Sequence, residues 1–424
     1  MSQVLFAGNL AAYGTLTPAF LTSIAANGIE PFVLTRFGEV QSDLFASKFD
    51  TVSQRLLGPN KLSDINPSII HAFFGRQMPE LDTMSHVEHL VRRFEGAKFL
   101  VGIDSVQTDQ LALHSALLGA DAITVPHASI VDAFTAGRMT TLAELIRDVE
   151  KSGRLFEVRP GIDTKKFNPY EDRALDDNYY SDSSPYDIKG RFNFHSPAVK
   201  KFLLSTFSRK YDLLHTRDSF SMLYGPDISI PGNLSQLISS DYFGEDTPKG
   251  GINTFFVGSD PIPPPYLDGL KERVVQYRKK NTVVYVHLDD ESEYRRMLAG
   301  TYMGIFPPEL GEFGFASVPY VQRAFEAMRY GVMLAVAPAF QRQGIVRPHK
   351  NRLPGTPYEG IAFPAEDDSP KAMSDAKGCM YREAFEYING NYRFSGAVVG
   401  AMRVRCSLEE TVKSYLDIYK MLFS

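Results

Sequence analysis

The chain has 424 residues, 44% of them hydrophobic and 22% charged, with a formal net charge of −5. That length exceeds what one hydrophobic core serves, so two domains are expected, and the composition is that of a folded chain rather than a disordered one. The small negative charge supplies no overall attraction to nucleic acid or acidic lipid. Cys379 and Cys406 carry no metal-ligand spacing and no disulfide framework, and no apolar run reaches the ~20 residues of a membrane helix. A soluble protein of a reducing compartment, the cytoplasm, is the expectation.

Strand-like and helix-like segments alternate from the start. The opening MSQVLFAGNLAAYG has no basic residues ahead of its apolar run, so it reads as a first strand, not a secretion signal. Val4–Ala7 is that strand, Gly8–Gly14 a glycine-bounded turn, and Thr17–Asn27 a helix that Gly28 ends. Pro31–Leu34, Ile69–Phe73, Phe99–Ile103 and Ala122–Val125 continue the strand series, with helical pattern between them. This βαβα order predicts a doubly wound parallel sheet.

The rhythm breaks from Asn168 to Pro197, a polar stretch rich in Asp, Ser and Tyr. A second α/β series follows: Lys201–Thr206, Asn253–Val257, Val283–Val286, Met303–Phe306 and Met333–Val336, with a Gly/Pro/Ser-rich segment over Pro226–Gly251. Leu408–Phe423 has helical spacing. The expected organisation is an N-terminal Rossmann-like domain over 1–170, completed by the helix 407–424, a connection over 171–197, and a second Rossmann-like domain over 198–406. Two such domains face a cleft, the usual place for a ligand.

Several segments can carry chemistry on physical grounds. Gly8 and Gly14 bracket the turn after the first strand, where a backbone can approach a ligand closely. The turn lacks the G-x-G-x-x-G fingerprint of dinucleotide sites, and it serves equally as a plain βα connection. Pro160–Pro169, PGIDTKKFNP, is a rigid turn whose Asp163 and Thr164 can cap a short helical turn. Tyr302–Pro338 runs strand, Pro pair, glycine-rich loop, helix, Gly331 and strand, an order that suits phosphate and ribose binding. His71, His114 and His127 lie in the first domain; a neutral imidazole facing a ligand can bond a sugar hydroxyl, and a core histidine fits the same places. No Ser/His/Asp grouping stands out, and the Asp pairs at 176–177, 289–290 and 367–368 form no metal site.

PGIDTKKFNP resembles the P-x-G-[IV]-D-x-x-x-F-x-P segment of retaining GT-B glycosyltransferases of the glycogen-synthase and sucrose-phosphate-synthase type. Phe256–Pro261 followed by Tyr266–Lys271 is similar to that family's VGDGP strand–turn–helix, Lys280–His287 to the strand after it, and Pro67–Ala72 to its PDIIHAH. The 302–338 stretch resembles E-G-F-G-x-x-x-x-E-A-M-x-x-G-x-P, and the C-terminal CSLEETVKSYLDIYKMLF its last helix, which crosses back to the N-terminal domain. The resemblance implies the GT-B fold, two Rossmann-like domains facing a cleft.

In that family the second glutamate binds the donor ribose, the first approaches the donor sugar, and the glycine-rich backbone meets the diphosphate. Glu326 matches the second. Gly311 stands where the first is expected, with Glu312 one residue later and Glu309 two earlier; Glu312 is assigned the role. Thirteen residues separate Glu312 from Glu326 where the family has seven, so Ser317–Arg323 looks inserted. Arg209 and Lys210, after Lys201–Thr206, take the place of the family's diphosphate-binding pair. The resemblance thus assigns catalysis to Glu312, Arg209 and His71, and donor binding to Glu326, Gly311, Phe313, Gly314, Phe315, Lys210, Gly8, Gly14, His287 and Gly258.

The implied reaction is transfer of a sugar from a nucleoside-diphosphate sugar, of UDP-glucose type, to an acceptor hydroxyl with retention, without metal or cofactor. The acceptor is a saccharide, a small molecule or DNA. Tyr320–Glu326 resembles a Tyr-x-Gln-Arg-x-x-Glu stretch of phage DNA α-glucosyltransferases, and Arg347, Lys350 and Arg352 lie in a basic run that can meet DNA phosphates. A DNA glucosyltransferase acting on hydroxymethylated bases is therefore one alternative. A GT-B-like nucleotide-sugar epimerase and a non-catalytic nucleotide-sugar-binding protein are the others.

Overall fold

The structure, a computed structural model, describes residues 2–7, 15, 17–34, 56–57, 65–75, 91–107, 110–172, 174–175, 200, 211, 213, 220–229, 251–260, 267–269, 281–348, 362–388, 398 and 400–423. The chain forms two compact units: Met1–Asp163 with Gly311–Gln322 and Cys406–Ser424, and Thr164–Leu310 with Arg323–Arg405.

The first unit is built on a seven-stranded sheet of order β3-β2-β1-β4-β5-β6-β7. Its strands are β1 (Ser2–Ala7), β2 (Ile29–Leu34), β3 (Leu56–Leu57), β4 (Ile69–Phe74), β5 (Lys98–Ile103), β6 (Ala122–Val125) and β7 (Leu155–Glu157). All its described pairings are parallel, with Phe6 opposite His71 and His71 opposite Leu100. Strands covered on both faces need apolar side chains on both, which is why β4 and β6 are buried throughout. Helices α1 (Pro18–Ala26), α2 (Gln110–Gly119), α3 (Ile130–Ala136) and α4 (Thr140–Lys151) lie between strands. Local chemistry sets the ends of α1: the Thr17 hydroxyl accepts from Phe20 N at 3.2 Å, Pro18 opens the first turn, and Gly28 leaves it at φ 82°.

The second unit holds a six-stranded sheet of order β10-β9-β8-β11-β12-β13. Its strands are β8 (Phe220–Asp227), β9 (Ile252–Gly258), β10 (Asn281–His287), β11 (Met303–Phe306), β12 (Met333–Val336) and β13 (Ala362–Pro364). Its described pairings are again parallel. Helices α5 (Glu291–Gly300), α6 (Val318–Arg329), α7 (Pro338–Arg342) and α8 (Pro370–Ile388) accompany it. In α6 the residues to Gln322 count with the first unit and those from Arg323 with the second. The helix ends in a Schellman arrangement: Val332 N donates to Ala327 O at 3.1 Å and Gly331 N to Met328 O at 2.9 Å, with Gly331 at φ 71°. Lys201–Thr206, expected to open this sheet, lies outside the described residues; the strand at its centre is β8.

The last helix, α9 (Leu408–Phe423), returns to the first unit. Leu408, Val412, Tyr415 and Tyr419 fall on one helical face and join Val4, Phe6, Phe20, Ile69 and Phe73 in one core. The turn at 159–162 receives this returning chain. Ile162 N donates to Cys406 O at 2.8 Å, Leu408 N to Ile162 O at 2.9 Å, and Thr411 Oγ1 to Arg159 O at 2.9 Å. A Cβ on Gly161 would stand 2.5 Å from Ser407 O and 2.7 Å from its carbonyl carbon, so only glycine fits there. Gln322 Nε2 donates to the Gly161 carbonyl at 3.1 Å. The PGID turn is thus the point where three separate chain segments interlock.

Candidate functional site

In a doubly wound sheet, ligands gather beyond the carboxyl ends of the strands where the order reverses. In the second sheet that point lies between β8 and β11. β8 ends at Asp227, whose carboxylate accepts from Ser229 N at 2.8 Å and Ser259 N at 3.2 Å. The neighbouring strand β9 ends at Gly258, where a Cβ would collide with the Tyr285 hydroxyl and Ser229 Oγ. Absence of a side chain lets those groups close over the strand end, and the Tyr285 hydroxyl donates to Asp260 O. His287 ends β10, its Nε2 3.2 Å from Ser259 O. Gly258 and His287 therefore share the carboxyl edge of the second sheet.

β11 leads through Pro307 and the buried Glu309 into a loop with three positive φ angles in four residues: Gly311 at 79°, Phe313 at 49° and Gly314 at 80°. A bulky residue such as Phe313 pays strain in that region, and the residue is 48% exposed. Glu312 is fully buried in the first unit. Its carboxylate accepts from Ser105 Oγ and, at 2.9 Å, from Val106 N. Phe315 N donates to Glu312 O at 2.9 Å, and the Phe315 side chain joins the first unit's core.

The first turn of α6 is bonded within the chain. Val318 N donates to Asp104 O at 2.9 Å, Pro319 has no N–H, and Tyr320 N and Val321 N both donate to Ser317 O, at 3.1 and 2.9 Å. Those first-turn donors are engaged within the protein.

Glu326 lies in the third turn of α6 at 4% exposure, and the Tyr294 hydroxyl of α5 donates to its Oε2 at 3.0 Å. One tyrosine thereby orients a buried carboxylate on a rigid helix. Lys200 supports the same two helices from behind. Its Nζ donates to Thr301 O at 2.7 Å, Tyr330 O at 3.1 Å and Ala299 O at 3.5 Å. Burial pulls the ammonium pKa down to about 7, while three carbonyls at helix C-termini favour its charge.

In the first unit the polar groups cluster at the ends of β4, β5 and β6. Asp104, just past β5, accepts from Thr15 N and Thr15 Oγ1, both at 2.8 Å, and its own N–H donates to Phe74 O at 2.7 Å. Burial pushes its carboxyl up to about 6, against the two Thr15 bonds. The Tyr415 hydroxyl lies 3.5 Å from Thr124 Oγ1. His71 occupies the third position of β4 and is fully buried. Its Nδ1 and the Tyr419 hydroxyl share a 2.8 Å hydrogen bond, and Phe6, Phe73 and Tyr415 surround the ring. Burial holds its pKa well below the usual value, so it stays neutral. The ring is thus enclosed beneath α9.

Gly8, Gly14, Arg209, Lys210, Lys350 and Arg352 lie outside the described residues. Arg347 is exposed, its carbonyl accepting from Ala362 N at 3.2 Å. Among the described residues no group of three or more His, Cys, Asp or Glu side chains is arranged to hold a metal ion, and no helix is long and apolar enough to cross a membrane. Sequence reasoning missed Asp104, Ser105, Tyr294 and Lys200. Only the strand end before Asp104-Ser105 could have drawn attention to any of them.

The chain matches no protein-family profile and no curated protein sequence. Among solved structures it is similar to the catalytic domain of starch synthase IV from Arabidopsis thaliana bound to ADP and acarbose. That likeness has a TM-score of 0.63 at 12% identity and covers 100% of this chain and 99% of that one. It is also similar to WaaG, a glycosyltransferase involved in lipopolysaccharide biosynthesis, with a TM-score of 0.49, 12% identity and coverage of 98% and 99%. The UDP-GlcNAc 2-epimerase of Methanocaldococcus jannaschii gives a TM-score of 0.47, 9% identity and coverage of 99% and 100%. With its two doubly wound units and the whole-chain starch synthase likeness, the protein has the GT-B fold.

Proposed function

We propose that this protein is a glycosyltransferase that moves a sugar from a nucleoside-diphosphate sugar, of UDP-glucose type, to an acceptor hydroxyl with retention of configuration. The observation that carries the reading is Glu326, a buried carboxylate fixed by Tyr294 on the helix that follows the glycine-rich 311–315 loop. A carboxylate so held accepts both hydroxyls of a ribose diol, a charge-assisted pair of bonds. The 311–315 backbone faces the diphosphate, and Arg209 with Lys210 offsets the charge that grows on it as the glycosidic bond breaks. Gly258 and His287, at the carboxyl edge of the same sheet as β8 and β11, lie on the side of the nucleotide base. The chemistry needs no metal ion and no pair of carboxylates of glycosidase type. The acceptor is a saccharide or another hydroxyl compound.

The test is incubation of the protein with UDP-glucose, ADP-glucose and related donors. Acceptors are oligosaccharides, small alcohols and duplex DNA carrying hydroxymethylated bases, with mass detection of product. Release of nucleoside diphosphate with a glycosylated product of unchanged anomeric configuration supports the proposal. Interconversion of free nucleotide sugars supports an epimerase instead, and binding without turnover supports a non-catalytic donor-binding protein.

A further inference from the structure

Residues 104–106 hold two separate parts of the first unit at once. The Asp104 carboxylate takes both the N–H and the hydroxyl of Thr15, the residue that closes the 8–14 segment. The Asp104 carbonyl takes the first N–H of α6 at Val318. Ser105 Oγ and Val106 N take the Glu312 carboxylate in the middle of the 311–315 loop. Asp104 and Ser105 are 8% and 0% exposed, and the Asp104 N–H is itself anchored to the end of β4. Three consecutive residues at a strand end therefore hold Thr15, Glu312 in the middle of the 311–315 loop, and the first turn of α6.

We propose that Asp104 and Ser105 are positioning residues for catalysis, forming a clasp that sets the 311–315 loop in register with the chain at Thr15. This rests on the donor role given above to the 311–315 loop. The loop has reason to need a clasp: Phe313, a bulky non-glycine residue, is held at φ 49° between Gly311 and Gly314. Both protonation states of Asp104 can hold Thr15. An ionised carboxylate accepts two bonds, and a protonated one accepts from the N–H while donating to the hydroxyl. An asparagine does the same. The clasp therefore acts through geometry, not through charge or proton transfer.

The test compares Asp104→Asn, Asp104→Ala and Ser105→Ala by nucleoside diphosphate release and by hydrogen exchange. Asp104→Asn is expected to keep the wild-type kcat and pH profile. Asp104→Ala and Ser105→Ala are expected to lower kcat by about a hundredfold, as a misplacement of about 1 Å does, with little change in donor KM. In both, amide exchange should rise across 311–318 while the strands of the same unit keep their protection. An Asp104→Asn variant as impaired as Asp104→Ala, or one with a shifted pH profile, overturns the positioning role. So does unchanged exchange across 311–318 in both alanine variants. The exchange readout needs no turnover, so if wild type releases no nucleotide the donor reading fails while the clasp is still decided. If Asp104→Ala does not fold, Ser105→Ala decides it.

Discussion

Replacing Glu326 with glutamine tests the donor site with little disturbance of the fold. Glu326 is 4% exposed and accepts from the Tyr294 hydroxyl at 3.0 Å. Glutamine has the same shape and keeps an acceptor oxygen for Tyr294, so the helix pair stays intact. What changes is the charge. A hydrogen bond to an ionised group contributes about 1.5–3 kcal/mol and a neutral one about 0.5–1.5, so each ribose hydroxyl loses about 1–1.5 kcal/mol. Two hydroxyls lose about 2–3 kcal/mol, roughly a 30- to 150-fold rise in the dissociation constant of a nucleoside diphosphate. Isothermal titration of wild type and Glu326→Gln with UDP and ADP reads this directly. The 2′-deoxy analogues lack one of the two hydroxyls and should lose less between the two proteins. Affinities within threefold of each other refute the assignment of Glu326 to the ribose. Glu326→Ala is the poorer probe, because it also strands a buried tyrosine hydroxyl and lowers stability.

Gly161→Ala should destabilise the first unit by about 1–3 kcal/mol or more. Its new methyl meets backbone atoms of Ser407 at 2.5 and 2.7 Å, which cannot swing away as a side chain would; an unchanged melting temperature contradicts the interlock. Lys200→Met should cost about 3 kcal/mol, since it leaves three buried carbonyls at the ends of α5 and α6 without their donor. Thermal unfolding checks it, and a melting point at or above wild type refutes it. Asp104 should make stability fall with pH. Its carboxyl, raised from 3.8 to about 6, holds its proton more tightly in the native state. Its stabilisation is complete below about pH 4 and lost as pH rises through 6, a change of about 3 kcal/mol. Wild type should lose that much relative to Asp104→Asn between pH 4 and 7, and parallel stability curves contradict it.

The first unit was legible because its strands are short, apolar and separated by helical pattern. Ile69–Phe73 and Phe99–Ile103 each fall within one residue of the observed β4 and β5, and Ala122–Val125 and Leu408–Phe423 coincide with β6 and α9. The central strand of the second sheet was not. β8 reads FSMLYGPD, and Ser221, Gly225 and Pro226 look like a turn. In the fold Gly225 is the space into which the Phe306 ring packs, so a turn-forming residue serves close approach inside a buried strand. Of the candidate site, the local pattern gave the place of Glu326 on a helix. Glu312 is tied to Ser105, 207 residues away, and Thr15 to Asp104, 89 away. Pairings across such separations leave no mark on spacing or periodicity, which is why the Asp104–Ser105 clasp had no sequence signature.

The central claim is that the chain uses a nucleoside-diphosphate sugar as donor. A time course of nucleoside diphosphate release from UDP-glucose and ADP-glucose, run on wild type and Glu326→Gln side by side, meets it most directly. The account predicts release from at least one donor by wild type, saturating between about 1 µM and 1 mM, with a raised KM in Glu326→Gln. No release and no calorimetric binding of either donor by wild type, at concentrations well above that range, would contradict it.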